Sequence, residues 1–394
     1  MTGPALDTRE AGVRIAAVYA AIFAVAGTQL PFLPIWLADR GLTVGEIAVV
    51  SSLALIVRIV VTPAIALAAD RRGDHRRVLI ALAVTALAAL LVLAGQHGFW
   101  PILLMQLVFS LAFNTMMPLT ETVAMMAVRH AGADYGRMRL WGSASFIAAS
   151  LIGGAVVAGM GAGAAIWLIA AGAAASVAAV LALPSASGAA AGRAPPRMTD
   201  VLRLARHPLF LVFLAASGAV QAAHAVFYTF GTLHWSRLGL STATSGALWS
   251  VGVIAEIGLF AWSGALARRI GAVELMALGA LAAIVRWIAM GFDPPLVALV
   301  PLQVLHGLTY GAAHIGAMHF LARAVPDAQA GSAQALYASV TGGIAMAGAM
   351  LLAGPAYAAY GGRAYWAMAV LGVAGLVACG VLMARWRGGH LVAA

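Results

Sequence analysis

Lysine is absent from this 394-residue chain, and cysteine occurs once, at Cys379. A single cysteine excludes an intramolecular disulfide and any cysteine-based metal site. Charge is scarce: 9% of residues are charged and 63% are hydrophobic, a balance far from that of water-soluble domains. No nucleophile and base converge in a recognisable pattern. The histidines of one apolar run, His306, His314 and His319, lack the i, i+4 pairing of a helical metal site. These absences argue against an enzyme and against any cofactor or metal. The net charge of +10 would suit nucleic acid, but its placement argues otherwise.

What the chain has in abundance is apolar runs of about 20 residues, the length a helix needs to cross a bilayer. We read twelve: 13–38, 46–69, 78–95, 100–127, 138–160, 164–183, 208–236, 243–266, 273–291, 295–323, 331–357 and 363–384. All are expected to be helices, because backbone groups in lipid must be satisfied within the segment. The first run continues into a full span and is read as a retained helix rather than a signal peptide. With the N-terminus cytoplasmic, 17 of the 23 arginines fall on the cytoplasmic side. That asymmetry orients the chain in a plasma (inner) membrane with both termini inside, and it accounts for the basic charge without nucleic acid. The Ala/Gly/Pro/Ser-rich stretch Ser185–Arg197 reads as a flexible linker. It gives an N-terminal six-helix bundle (1–183), a linker (184–207) and a C-terminal six-helix bundle (208–394), expected to act as a monomer.

The halves repeat. Residues 41–73 lie over 239–271 without a gap: Gly41-Leu42-Thr43 falls on Gly239-Leu240-Ser241, and Arg58 falls on Glu256. Duplication with polar groups near the midplane marks a secondary transporter whose site lies between the repeats.

The loop Asp70-Arg-Arg-Gly-Asp-His-Arg-Arg77 resembles the signature between spans two and three of the major facilitator superfamily. Asp70, Arg71, Gly73, Arg76 and Arg77 keep its pattern, while Ala66 stands at its first glycine. A degenerate copy keeps Gly264, Arg268, Arg269 and Gly271. The resemblance implies that Asp70, Arg71, Arg268 and Arg269 pair across the bundles and bias the closed state; an ordinary positive-inside loop is the plainer reading. Within the superfamily the chain is similar to the phenylpropionic acid transporter family and, more distantly, to lactose permease. The segments that carry this are Leu30–Trp36, Pro118–Glu121, Asp134–Ser143, Gln221–His224, Leu248–Glu256, Val285–Trp287 and Gln303–His306.

Ionised groups inside a membrane usually face a partner, a cavity or a substrate. Glu121 and Arg139 match, with equal separation, the sugar-binding acid of span four and arginine of span five in lactose permease. The resemblance therefore implies substrate contact, while the residues alone leave a structural ion pair open. Arg286 and His306 match the permease's arginine and histidine on spans nine and ten, and Glu256 its acid on span eight through a shifted turn. Two departures matter. Thr309 stands where the permease has its proton-carrying acid, and His224 and Tyr228 stand where span seven has acids, so that proton mechanism does not transfer intact.

Gln303, His306, Tyr310 and His314 are spaced to share one face of span ten, as Gln221, His224 and Tyr228 are on span seven. We expect Arg58, Glu121, Arg139, His224, Tyr228 and Arg286 at the substrate, with Phe146, Trp141, Phe227, Trp249, Trp287 and Tyr337 available for an apolar wall. Glu256, His306 and His314 are expected to handle a proton as coupling ion. Three arginines inside spans (58, 139, 286) against two acids (121, 256) leave one positive charge for an anion. The expected function is proton-coupled symport of a small aromatic carboxylate, 3-phenylpropionate-like by the resemblance, by alternating access. A sugar or nucleoside symporter, or an exporter of metabolites or drugs, remains the alternative.

Overall fold

The computed structural model describes residues 8–72, 74–183, 198–326 and 329–392, and all regular structure among them is helical. The first half is α1 (Thr8–Asp39), α2 (Val44–Arg72), α3 (His75–Ala94), α4 (Phe99–Ala131), α5 (Tyr135–Met160) and α6 (Ala164–Leu181). The expected linker 184–207 falls largely outside the described residues; its end forms the short helix α7 (Met198–Ala205). Span seven is split into α8 (Pro208–Ala222) and α9 (Ala225–Arg237), and span eight into α10 (Thr242–Ala261) and α11 (Ser263–Ile270). Span nine is α12 (Ala272–Met290). Span ten comprises α13 (Leu296–Val304), a π-helical stretch Gly307–Ala312 and α14 (Ala313–Ala324). Span eleven comprises α15 (Ala330–Ala338), a second π-helical stretch Ser339–Ala345 and α16 (Met346–Tyr360); span twelve is α17 (Tyr365–Arg385).

Among the described residues, eleven helical stretches are long and apolar enough to cross a bilayer, the last being the 56 residues Ala330–Arg385. Held straight, that stretch would reach about 84 Å at 1.5 Å per residue, far more than a bilayer core. Gly361 takes φ 54°, and both Ser339–Ala345 and α17 pack against α8. The chain therefore reverses at Gly361–Ala364, and twelve crossings result.

The repeat is visible atom by atom in one turn. Gly41 and Gly239 have φ 82° and 87°. Leu42 N–H donates to Leu37 O and Leu240 N–H to Trp235 O, at 3.1 and 3.0 Å. Thr43 Oγ1 then accepts from Glu46 N–H at 3.3 Å and Ser241 Oγ from Thr244 N–H at 3.1 Å. Both are N-caps satisfying the first free amides of the next helix, and in the first half Glu46 returns the bond to Thr43 N–H at 2.8 Å, which completes a capping box.

The chain packs as two compact units. One comprises the described residues of Met1–Gly192 with Trp235–Ser250, and the other those of Arg193–His234 with Val251–Ala394. Within the first unit the strip 235–250 makes a close helix approach: Thr242 Oγ1 donates to Gly154 O at 3.0 Å, Ser250 Oγ reaches Ile147 O at 3.4 Å, and a Cβ on Gly246 would overlap Ser150 O. Small residues at such crossings let membrane helices pack on backbone atoms. Gly246→Val is therefore expected to destabilise the purified protein by about 1–3 kcal/mol, the usual cost of overpacking, read as a lowered Tm in detergent.

The signature loop does local work here. Arg76 donates to Leu183 O and Leu181 O at 2.7 and 2.8 Å, and Arg14 to Ala182 O at 3.0 Å. Two cations thus satisfy the carbonyls that end α6, where the helix dipole is negative. Arg77 pairs with Asp74, the N-cap of α3, at 3.0 Å. Arg269 is exposed; the side chains of Asp70, Arg71 and Arg268, assigned above to gating, lie outside those described.

Candidate functional site

In the first unit the site begins at the α4–α5 turn. Gly132, at φ 65°, closes α4, and Asp134 caps α5 by accepting from Arg137 N–H. One turn into α5, Arg139 is delivered beside α1 and α4. Its Nε lies 4.0 Å from Glu121 Oε1, both side chains being 31% exposed. That is the outer limit of an ion pair, and Glu121 is held more closely by the Tyr135 hydroxyl, which donates to it at 3.2 Å. The Arg139 guanidinium stands 4.0 Å over the Phe23 ring and 5.7 Å from Tyr19, an arrangement in which a π face stabilises the cation. Gly142 permits this approach, since a Cβ there would meet both Phe23 and Arg139 Nη1. Arg139 Nη1 is itself enclosed without a hydrogen-bond acceptor among the described residues. Phe23, Tyr19 and Tyr135 were not singled out from the sequence. Arg58 sits part-buried in α2, and Trp141 is 61% exposed on α5.

In the second unit the hub is Arg286 on α12, with no exposure to solvent. Its Nη2 donates to Gln303 Oε1 at 2.8 Å, and its Nη1 faces Thr309 Oγ1 and His306 Nδ1, each at 3.2 Å. Phe227 and Trp287 flank it at 5.0 and 4.5 Å. Among the described residues Arg286 forms no ion pair with a carboxylate. A guanidinium has donors only, so His306 Nδ1 must accept and its N–H is placed on Nε2. That nitrogen points at Glu256 Oε2, 3.7 Å away. The tautomer of His306 is thus set by Arg286, with its proton directed to Glu256. Donors outnumber acceptors around the hub: Arg286 Nε, Trp287 Nε1 and Gln303 Nε2 are all enclosed without a partner among the described residues.

Thr309, in the π-helical stretch, connects the hub to span seven. His224 follows the end of α8, and its Nδ1 lies 3.1 and 3.2 Å from Val220 O and Gln221 O; Gln221 O also accepts from His224 N–H at 3.1 Å. Nδ1 therefore carries hydrogen, and Nε2 of the neutral ring accepts from Thr309 at 3.0 Å. His224 is fully buried with both nitrogens engaged. In this structure it holds Thr309. Tyr228 stacks on His224 at 5.4 Å. The rings of His306, Tyr310 and His314 stack in series at 5.5 and 6.0 Å, and His314 Nδ1 meets the Tyr337 hydroxyl at 3.4 Å.

The sequence model of the MFS_1 like family matches residues 13–368. The chain belongs to this major facilitator family. It is 32% identical over 357 residues to the "Probable 3-phenylpropionic acid transporter" of Escherichia coli (strain K12), covering 90% of this chain and 93% of that one. It is 28% identical over 343 residues to the "Maltose permease" of Geobacillus stearothermophilus, covering 83% and 82%. Among solved structures, the nucleoside transporter NupG superposes with TM-score 0.80 at 20% identity (96% of this chain, 99% of that one), and a D-xylose-proton symporter with 0.68 at 15% (96% and 97%). These two show the fold. This major facilitator protein is a multi-pass membrane transporter and not an enzyme.

Proposed function

We propose that this transporter carries a small aromatic carboxylate, of the 3-phenylpropionate kind, together with a proton by alternating access, taking it up into the cell. The observation that carries the reading is shared by both units: each holds an arginine with an enclosed N–H that lacks an acceptor, Arg139 Nη1 and Arg286 Nε. A buried donor without a partner is costly, and a carboxylate is the acceptor that a guanidinium fork fits best. Each arginine also lies against aromatic faces, Phe23 in one unit, Phe227 and Trp287 in the other, which suit the ring of such an acid. The name of the 32%-identical relative points the same way.

The proton is assigned to Glu256. His306, its tautomer fixed by Arg286, presents Nε2–H to the ionised carboxylate; a proton on Glu256 weakens that contact and frees the carboxyl group to move. Arg58, Tyr228 and His314 are proposed as further contributors, the first two to substrate and the third to the proton. Asp70, Arg71, Arg268 and Arg269 are proposed to bias the closed state. Both termini are placed in the cytoplasm by the arginine asymmetry.

One observation favours a second reading. Glu121 and Arg139 form an acceptor–donor pair next to the Tyr135 hydroxyl, which suits sugar or nucleoside hydroxyls. Uptake of a labelled panel (phenylpropionate, cinnamate, a disaccharide, a nucleoside) into vesicles with an imposed pH gradient decides between them. Accumulation of the two acids, abolished by a protonophore, is expected; accumulation of the disaccharide or nucleoside alone would replace the first reading by the second.

A further inference from the structure

The short helix α7 meets span seven at a sharp turn. Arg206 N–H donates to Leu202 O at 3.1 Å and His207 N–H to Leu204 O at 3.0 Å, so α7 closes on its own carbonyls. His207 then turns the chain at φ −68° and ψ 124°, and Pro208 opens α8 at the first helical position, where its fixed φ fits. Leu204 pins α7 to the second unit: it is fully buried in a core with Phe210, Phe213, Phe320 and Leu382. With that residue inward, Leu202, Arg203 and Arg206 are held outward and are exposed.

Those three residues and His207 line a cavity of about 410 Å³, and among the described residues no carboxylate lines it. His207 Nδ1 is enclosed without a hydrogen-bond partner among the described residues, and the ring does not cap α8. The amides of Leu209 and Phe210 therefore open that 15-residue helix with no acceptor among the described residues, at the end where its dipole is positive. Two guanidinium groups and a helix start thus offer donors and positive charge on one side of one cavity.

We propose that this cavity binds the phosphate of an anionic phospholipid in the leaflet on the arginine-bearing side of the membrane. Phosphate accepts from guanidinium and from backbone amides at a helix start. The cavity sits where a membrane span begins, at Pro208, which is the depth of lipid headgroups. Leu202 beside the two arginines and Leu211 one turn into α8 are both exposed, apolar side chains where the lipid's own chains would run. A free phosphate would use the cations and leave both leucines in water. Basic groups at such a surface attract anionic lipid, and a basic pocket holds a headgroup. None of these residues belongs to the Arg139 or Arg286 sites, so the proposal stands apart from the carrier reading.

The test uses the full-length protein in detergent, without substrate. It is incubated with equal amounts of phosphatidylglycerol and phosphatidylcholine, and the lipid retained is counted by native mass spectrometry. One phosphatidylglycerol is expected to be retained in preference to phosphatidylcholine. Arg203→Gln with Arg206→Gln should weaken that retention about tenfold or more. Arg203→Lys with Arg206→Lys keeps the charges and should restore it, since lysine holds phosphate as a point charge. Arg385→Gln with Arg387→Gln is the control. Both arginines are exposed at the same end of the unit, because Trp386 between them packs on Phe320 at 4.6 Å, and retention should be unchanged. An equal loss in the two glutamine pairs would mean diffuse charge rather than a site and overturns the proposal. So does equal retention of the two lipids. Inorganic phosphate that displaces the lipid at equal concentration makes the free anion the ligand and overturns the lipid assignment.

Discussion

Arg139→Ala is expected to abolish uptake of an aromatic carboxylate and its counterflow together, each by about a hundredfold or more. The size follows from two charge-assisted bonds to a carboxylate at about 1.5 kcal/mol each, with 1.4 kcal/mol for every tenfold. Counterflow needs no net driving force but needs substrate bound on every passage, so a binding residue must depress both rates. Arg139→Lys keeps the charge and loses the fork, and an intermediate loss is expected. The alanine variant should still fold, because Glu121 retains the Tyr135 hydroxyl at 3.2 Å. Counterflow in Arg139→Ala within a fewfold of the parent would remove Arg139 from the substrate site and leave Glu121–Arg139 as a structural pair.

Much of the scaffold was legible because lipid imposes a strong constraint. Runs of about 20 apolar residues between arginine-bearing loops have one solution, and the Gly41 and Gly239 turns repeat because the same short segment must cap the same helix twice. The Glu121–Arg139 pair was also legible, since charge inside a span is scarce enough that each instance stands out, whereas Arg286 and His306 were singled out through the resemblance to lactose permease. What periodicity could not show is where helices stop being regular. The break before His224 and the π-helical stretch Gly307–Ala312 place Thr309 between Arg286 and His224, whereas in the sequence Thr309 reads only as a missing acid. Nor does spacing tell which histidine nitrogen bears hydrogen; that follows from what each nitrogen faces.

Glu256→Gln is expected to keep counterflow within about threefold of the parent and to stop pH-driven accumulation altogether. With one proton moved per singly charged anion, transport is electroneutral, and a gradient of one pH unit sustains about tenfold accumulation, equivalent to about 1.4 kcal/mol. Glutamine keeps the volume of the side chain and an oxygen facing His306 Nε2–H, so alternation of the loaded carrier continues; it cannot carry the proton, so the inside-to-outside ratio settles near one. Protein-free vesicles must be subtracted, because neutral aromatic acids cross bilayers unaided. His306→Gln separates the two members of the pair. Its amide can accept from Arg286, as His306 Nδ1 does at 3.2 Å, and face Glu256, which lies 3.7 Å from Nε2, without a titratable ring, and it is expected to accumulate substrate as the parent does. If Glu256→Gln still concentrates substrate tenfold while His306→Gln does not, the proton travels on the histidine, and the fixed tautomer inferred from Arg286 is the step that fails.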